Sequence, residues 1–316
     1  MVGNKYLKTL MSPLLLVSVL LLLLVPGCGD KEDETMPTSV DTSGLTQEQM
    51  QRILADSILA VYNTSSYKSD FTMTMTMEAI GGPEPGIIHT VMNGTVIYDQ
   101  ENKNMKAVMD MTMETDMEIP EMEEEIKNVS MEMYVLEETL YMKMDMPMVG
   151  EQWVKMPATE EMMQAFNSNM VEQQLGMLGS AGKMEYLRSE TVDGYDCHVF
   201  TLVPDMETMM DWLATQQGPV GGFSPDDISN LADVFRDIYY VIWIDKDRGL
   251  MIKMDASMLM EFTPEEFGAD TDEFDNMTMD VTMSMKMYDY GKPVTIVIPE
   301  EAEDAMDMSD MGSFGQ

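Results

Sequence analysis

The sequence predicts an α+β protein built on a single antiparallel β-sheet of about 10–12 strands, with helices carried in insertions between strands. Methionine alternation is the first observation behind this. In Phe71-Thr72-Met73-Thr74-Met75-Thr76-Met77 it occupies every second position. The same alternation runs through residues 105–119, 129–135, 140–148, 252–262 and 277–287. A period of two places one residue set on one face of a strand and the intervening Thr, Asp, Glu and Lys residues on the other. The second observation is punctuation: Gly81-Gly82-Pro83, Glu137-Glu138, Val192-Asp193-Gly194 and Asp245-Lys246-Asp247-Arg248-Gly249 separate alternating segments. The third is that helical periodicity is confined to a first segment and two later insertions.

From the N-terminus, Lys5 and Lys8 precede an apolar run, residues 13–25, broken only by Ser18. Such a run is short for a membrane span and suits a signal peptide. Val25-Pro26-Gly27-Cys28 closes it in the manner of a lipobox. Residues 1–27 are therefore read as a lipoprotein signal peptide and Cys28 as the lipidated residue, with an uncleaved signal anchor as the alternative. Either places the remainder outside the cytoplasm: in the cell envelope, on the outer face of the cytoplasmic membrane or on the periplasmic or outer-membrane side. Residues 28–45 are polar and acidic without an apolar period and read as a flexible tether.

Residues 46–62 form an amphipathic helix, with Thr46 and Gln49 spaced as a capping box and Met50, Ile53, Leu54, Ile58 and Val61 on one face. Strands are expected over 67–79, 87–99, 104–117, 129–136, 140–146 and a short 153–155. A helical stretch over 159–177 follows, then a hairpin of 184–191 with 195–203. Residues 204–215 and 225–238 are expected to be helical. Strands 239–244, 250–262 and 276–290 and a short closing strand 294–298 complete one domain, 46–299. Residues 300–316 read as an acidic disordered tail.

The net charge is −39. Phosphate binding needs a basic stripe that this chain lacks, which excludes nucleic acid as a partner. An anionic membrane would repel the body, so the lipid anchor must hold it there. With Cys28 lipidated, Cys197 has no intramolecular partner and reads as a buried thiol. No zinc-protease helix motif, nucleophile elbow or Cys-x-x-Cys is present, and the chain is not read as an enzyme. Residues 179–184 echo a phosphate loop, but Met184 stands where Ser or Thr would bind Mg²⁺. Residues 245–249 carry the alternating carboxylates of a calcium loop, yet a hairpin turn explains them better. The acidic runs 121–125 and 270–275 read as solvated loops.

The methionine face carries the functional question. Its candidate lining is Met73, Met75 and Met77; Met109, Met111 and Met113; Met131 and Met133; Met142 and Met144; Met254 and Met258; and Met279, Met283 and Met285. One reading is a core in which methionine replaces branched aliphatics. Another is a pliable lining for a hydrophobic ligand, a lipid or acyl chain, because each thioether side chain repacks readily. A third is a Cu(I) surface, since thioethers select that ion. Neighbouring methionines on one strand stand nearly 7 Å apart, so only cross-strand partners could enclose an ion, and the two histidines, His89 and His198, have no obvious partner. No resident metal or cofactor is expected. A surface sensor or adaptor with a filled core, binding another envelope protein, also remains open.

The chain resembles the LolA and LppX/LprG class of lipoproteins. The resemblance rests on the lipobox, tether and first helix, on Val192-Asp193-Gly194-Tyr195-Asp196-Cys197-His198-Val199-Phe200, and on the ending Tyr288-Asp289-Tyr290-Gly291-Lys292-Pro293-Val294-Thr295-Ile296-Val297-Ile298-Pro299. It implies a half-barrel, a strongly curved antiparallel sheet with helices packed on its concave face. It also implies carriage of a lipid, lipidated protein or glycolipid in the space between. Where relatives place branched aliphatics and aromatics, this chain places methionine.

Overall fold

A computed structural model describes residues 44–81, 85–116, 128–146, 150–158, 181–206, 208, 234–263 and 275–307. One helix, α1 (Gln47–Tyr62), precedes the strands. They are β1 (Ser66–Ile80), β2 (Gly86–Asp99), β3 (Asn104–Thr115), β4 (Asn128–Leu136), β5 (Thr139–Met146) and β6 (Gly150–Pro157). A second series comprises β7 (Ala181–Val192), β8 (Tyr195–Pro204), β9 (Phe235–Asp245), β10 (Met251–Phe262) and β11 (Asn276–Tyr288). A 3-10 turn (Glu300–Ala302) and β12 (Met306–Asp307) end the described chain.

All twelve strands join one sheet in the order β12-β6-β5-β4-β3-β2-β1-β11-β10-β9-β8-β7. The sheet is curved and open. Two meanders, β1 to β6 and β7 to β11, meet where β1 pairs antiparallel with β11. That junction joins the first strand to the last long one, a non-local pairing that periodicity alone does not specify. The sheet departs from a purely antiparallel one at its edge, where β12 lies parallel to β6 with Met306 opposite Val154.

Helix α1 starts as expected. Thr46 Oγ1 accepts from the Gln49 N–H at 3.3 Å, and the Thr46 N–H donates to Gln49 Oε1 at 2.8 Å. This reciprocal pair satisfies donors left open at a helix N-terminus. The buried residues Met50, Leu54 and Ile58 recur at helical spacing and enter one core cluster with the methionines of β1, β10 and β11. The helix lies against β7 and β10, and the Gln47 side-chain amide donates to the Met184 carbonyl of β7.

Four expectations are corrected. Residues 235–238, read as the end of a helix, belong to β9, where Ile238 faces Met258. Phe235 and Ile238 are three apart, a helical spacing, and a bulge in the pairing with β10 at Leu259–Met260 brings both onto the core face of the strand. Residues 294–298, read as a closing strand, pair with nothing in the sheet, and Val297 is 69% exposed. Part of the expected disordered tail is built into the fold: Ala302 is fully buried, Ala305 nearly so, and β12 covers the β6 edge. Pro204, read as the start of a helix, ends β8. The expected helix at 159–177, and most of those at 204–215 and 225–238, lie outside the described residues. So do the signal segment with Cys28, the tether as far as residue 43, and both acidic runs apart from Asp275.

Candidate functional site

The pairing register sorts the two faces of the sheet. Opposite Met73 on β1 stand Met283 on β11 and Met92 on β2, and Met92 in turn faces Met111 on β3. Four methionines thus sit side by side on four adjacent strands, at a lateral spacing of about 5 Å. The next row outward along the strands runs Ile242, Met254, Met285, Phe71, Gly94, Met109 and Met131, across β9 to β4. Gly94 is where a tight approach requires glycine: an added Cβ would meet the Phe71 ring at 2.5 Å and the Val108 carbonyl at 2.8 Å. The ring of Phe71 therefore lies across the strand at the point where the methionine row is interrupted.

Burial divides this face into two regions. Met73, Met75, Met77, Met254, Met258, Met279, Met283 and Met285 are all buried and form one core cluster with α1. These are the predicted lining residues that the structure brings together, and they fill the space with one another. Met113 on β3 joins them. Beyond β1 the same face opens. Met92, Met109, Met111, Met133 and Met142 are half-buried and Met131 is 40% exposed. Register links them, because Met109 faces Met131, Ala107 faces Met133, and Met133 faces Met142. Met144 lies in β5, but its side chain is outside the described residues. Met92 belongs to this strip although its strand carries no methionine alternation; only the register reveals it.

At the far end of the strip a satellite cluster of Met105, Val135, Leu140 and Ala158 closes the apolar surface, with Tyr98, Met133, Met142 and Met156 packed against it. Tyr67 stacks on Tyr98 at 4.8 Å and stands 6.0 Å from Tyr290. Burial, aided by the neighbouring Tyr98 and Tyr290, pushes the Tyr67 phenol well above its ordinary value, and burial pushes Tyr98 up to about 12. These phenols stay neutral and serve as apolar surface.

The opposite face is polar in the first meander. Thr76 Oγ1 lies 3.1 Å from His89 Nδ1, and Lys106 reaches Glu132 at 3.2 Å and Tyr134 Oη at 2.8 Å. Burial works to raise the Glu132 carboxyl, but hydrogen bonds from Tyr134 and Lys106 outweigh it and hold the group below the usual range. In the second meander this face carries its own buried cluster of Cys197, Val199, Val241, Trp243 and Ile252. Burial, with Asp245 nearby, pushes the Cys197 thiol up to about 11, so it stays protonated and unreactive at neutral pH. His198 points to the methionine side, among Tyr186 and Phe200 at 5.9 and 5.8 Å. Burial, then Lys246, lowers its pKa. Neither histidine stands beside the methionine row.

Two sequence echoes resolve into structure. Both carboxylate oxygens of Asp245 are used inside its own turn, accepting from the Asp247 N–H at 3.0 Å and from Arg248 Nε. Residues 181–184, at the end of the phosphate-loop echo, belong to β7. Among the described residues, no group of three or more His, Cys, Asp or Glu side chains could hold a metal ion. No described helix is long and apolar enough to cross a membrane. Four buried polar atoms lack a hydrogen-bond partner among the described residues: Ser57 Oγ, Thr90 Oγ1, His198 Nδ1 and Asp255 Oδ1.

The class these observations define is an open, curved twelve-stranded sheet with one methionine-rich apolar face, filled at one side and half-open at the other. The chain belongs to the family described as Family of unknown function (DUF6612), whose model matches residues 49–307. Among solved structures it is similar to LprF from Mycobacterium bovis, at 16% identity and a TM-score of 0.41, covering 81% of this chain and 99% of that one. It is also similar to the Mycobacterium tuberculosis lipoprotein LppX, at 11% identity and a TM-score of 0.36, covering 80% of this chain and all of LppX. No curated protein matches the chain.

Proposed function

We propose that this protein is a lipid-anchored, extracytoplasmic binding protein that holds a lipid or acyl chain against the methionine face of its sheet. The observation that carries this reading is the change along that face from a filled core on β1, β10 and β11 to a half-open strip on β2 to β5. A core needs no such continuation, whereas an apolar ligand gains about 0.8 kcal/mol for each CH₂ it buries there. Thioethers suit that task because they repack around chains of different length. Cys28 supplies the anchor and no residue supplies chemistry. The test is native mass spectrometry with lipid extraction on the full chain purified from its own membrane. A co-purifying amphiphile in stoichiometric amount is expected; protein that is lipid-free apart from its anchor and takes up no acyl probe overturns the reading.

A second reading draws on the row of Met283, Met73, Met92 and Met111. Adjacent thioethers across strands could offer Cu(I) three sulfur ligands that no single strand can supply. Anaerobic titration of Cu(I) against a chromophoric chelator decides it. Competition that is lost when Met73 and Met92 are changed to leucine supports the site, and no competition by the wild-type chain removes it.

A further inference from the structure

Thr90 does not fit the surface that surrounds it. The register places it on the methionine face, between Met75 of β1 and Met113 of β3. Ile88 and Met92 are its neighbours along the same face of β2. It is 2% exposed, and its hydroxyl has no hydrogen-bond partner among the described residues. A buried hydroxyl gives up its bonds to water on folding, and without a replacement it destabilises the folded state. Valine would fill nearly the same volume, suit a strand equally well and carry no such cost. Its four direct neighbours on this face, Met75, Met113, Ile88 and Met92, are aliphatic or thioethers, so the polar atom serves none of them.

Its position is also particular. Met75 and Ile88 belong to the filled core, while Met92 and, across from it, Met111 open the half-exposed strip. Thr90 therefore stands at the inner end of that strip, where a chain lying along Met109, Met111 and Met131 would terminate. Ligand sites of this kind join an extended apolar lining to a few placed polar groups that fix orientation.

We propose that Thr90 is the polar anchor for an acyl-bearing amphiphile. Its hydroxyl donates to the carbonyl oxygen of the bound molecule, whose chain lies outward along the half-open strip. This inference rests on the reading of the face as an acyl-binding surface. A free fatty acid and an ester share the chemistry that Thr90 recognises.

The test uses the full chain, delipidated, titrated with the fluorescent polyene cis-parinaric acid and with its methyl ester. The variants are Thr90→Val and Thr90→Ser, with thermal unfolding measured on each. Thr90→Val is expected to unfold at the wild-type temperature or above, and to bind about three- to tenfold more weakly. Thr90→Ser, which keeps the hydroxyl, is expected to bind as wild type does. Equal weakening for acid and ester assigns the contact to the shared carbonyl oxygen, and weakening of the acid alone assigns it to a carboxylate. Unchanged binding by Thr90→Val overturns the anchor and leaves the acyl-binding reading standing, as does equal loss in Thr90→Ser. Failure of the wild-type chain to bind either probe overturns both.

Discussion

At the scale of single residues, two methionines of the same chemical kind have different roles because of where the register places them. Met279 is fully buried between Met77 of β1 and Met260 of β10. Met131, on the same face but four strands away, is 40% exposed. Truncating a buried methionine removes its transfer free energy and leaves a cavity, so Met279→Ala should cost about 2–5 kcal/mol. Met131→Ala should cost under about 1 kcal/mol, within the range of surface substitutions. Denaturant unfolding of both variants checks this, and comparable losses would mean that the strip is as much a packed core as β11 is. The contrast bears on the proposed function: the costly methionines hold the sheet together, and the inexpensive ones are those the proposed ligand would lie against.

At the scale of elements, alternation located the strands well because parity is local. β1, β2, β4, β5 and β8 extend one residue or less beyond the expected ends, and the capping box of α1 stands where Thr46 and Gln49 place it. Misreadings arose where local pattern underdetermines pairing. Phe235 and Ile238 stand at helical spacing, and only the bulge opposite Leu259–Met260, invisible to local periodicity, puts both on one face of a strand. Residues 294–298 alternate and are rich in β-branched side chains, but strand propensity reports a fit to a pleated surface, not the presence of a neighbour. β12 is two residues long, in an acidic stretch, and owes its pairing to β6 alone. The face of each candidate methionine was legible for the same local reason. Its depth was not, because burial depends on β1 meeting β11 and on α1 lying over β7 and β10. Thr90 was invisible as a candidate, since a threonine in a strand is unremarkable until its neighbours are known. The edges follow a simpler logic: β12 covers β6, and β7 ends the sheet with Lys183–Glu185 and Arg188–Glu190 pairs at 3.0 and 2.7 Å, charges that discourage further strand addition.

At the scale of the whole molecule, the methionine face and the acidity work in opposite directions. A continuous apolar strip invites self-association, and a net charge of −39 opposes it by keeping copies apart. That protection carries a cost, because 57 acidic residues against 18 basic ones leave most carboxylates without a cationic partner on the same surface. Exposed ion pairs such as Arg52–Asp56 contribute little and weaken as salt rises. Repulsion among the surplus carboxylates also weakens, and their excess makes it the larger effect. The screening length falls from about 30 Å at 0.01 M salt to about 8 Å at 0.15 M. Thermal unfolding across that range at neutral pH should therefore show Tm rising with sodium chloride. A falling Tm would mean that the ion pairs outweigh the repulsion. Light scattering in the same samples tests the other half of the argument: as screening grows, association should increase, and Met131→Asp, which places a charge in the strip, should suppress it.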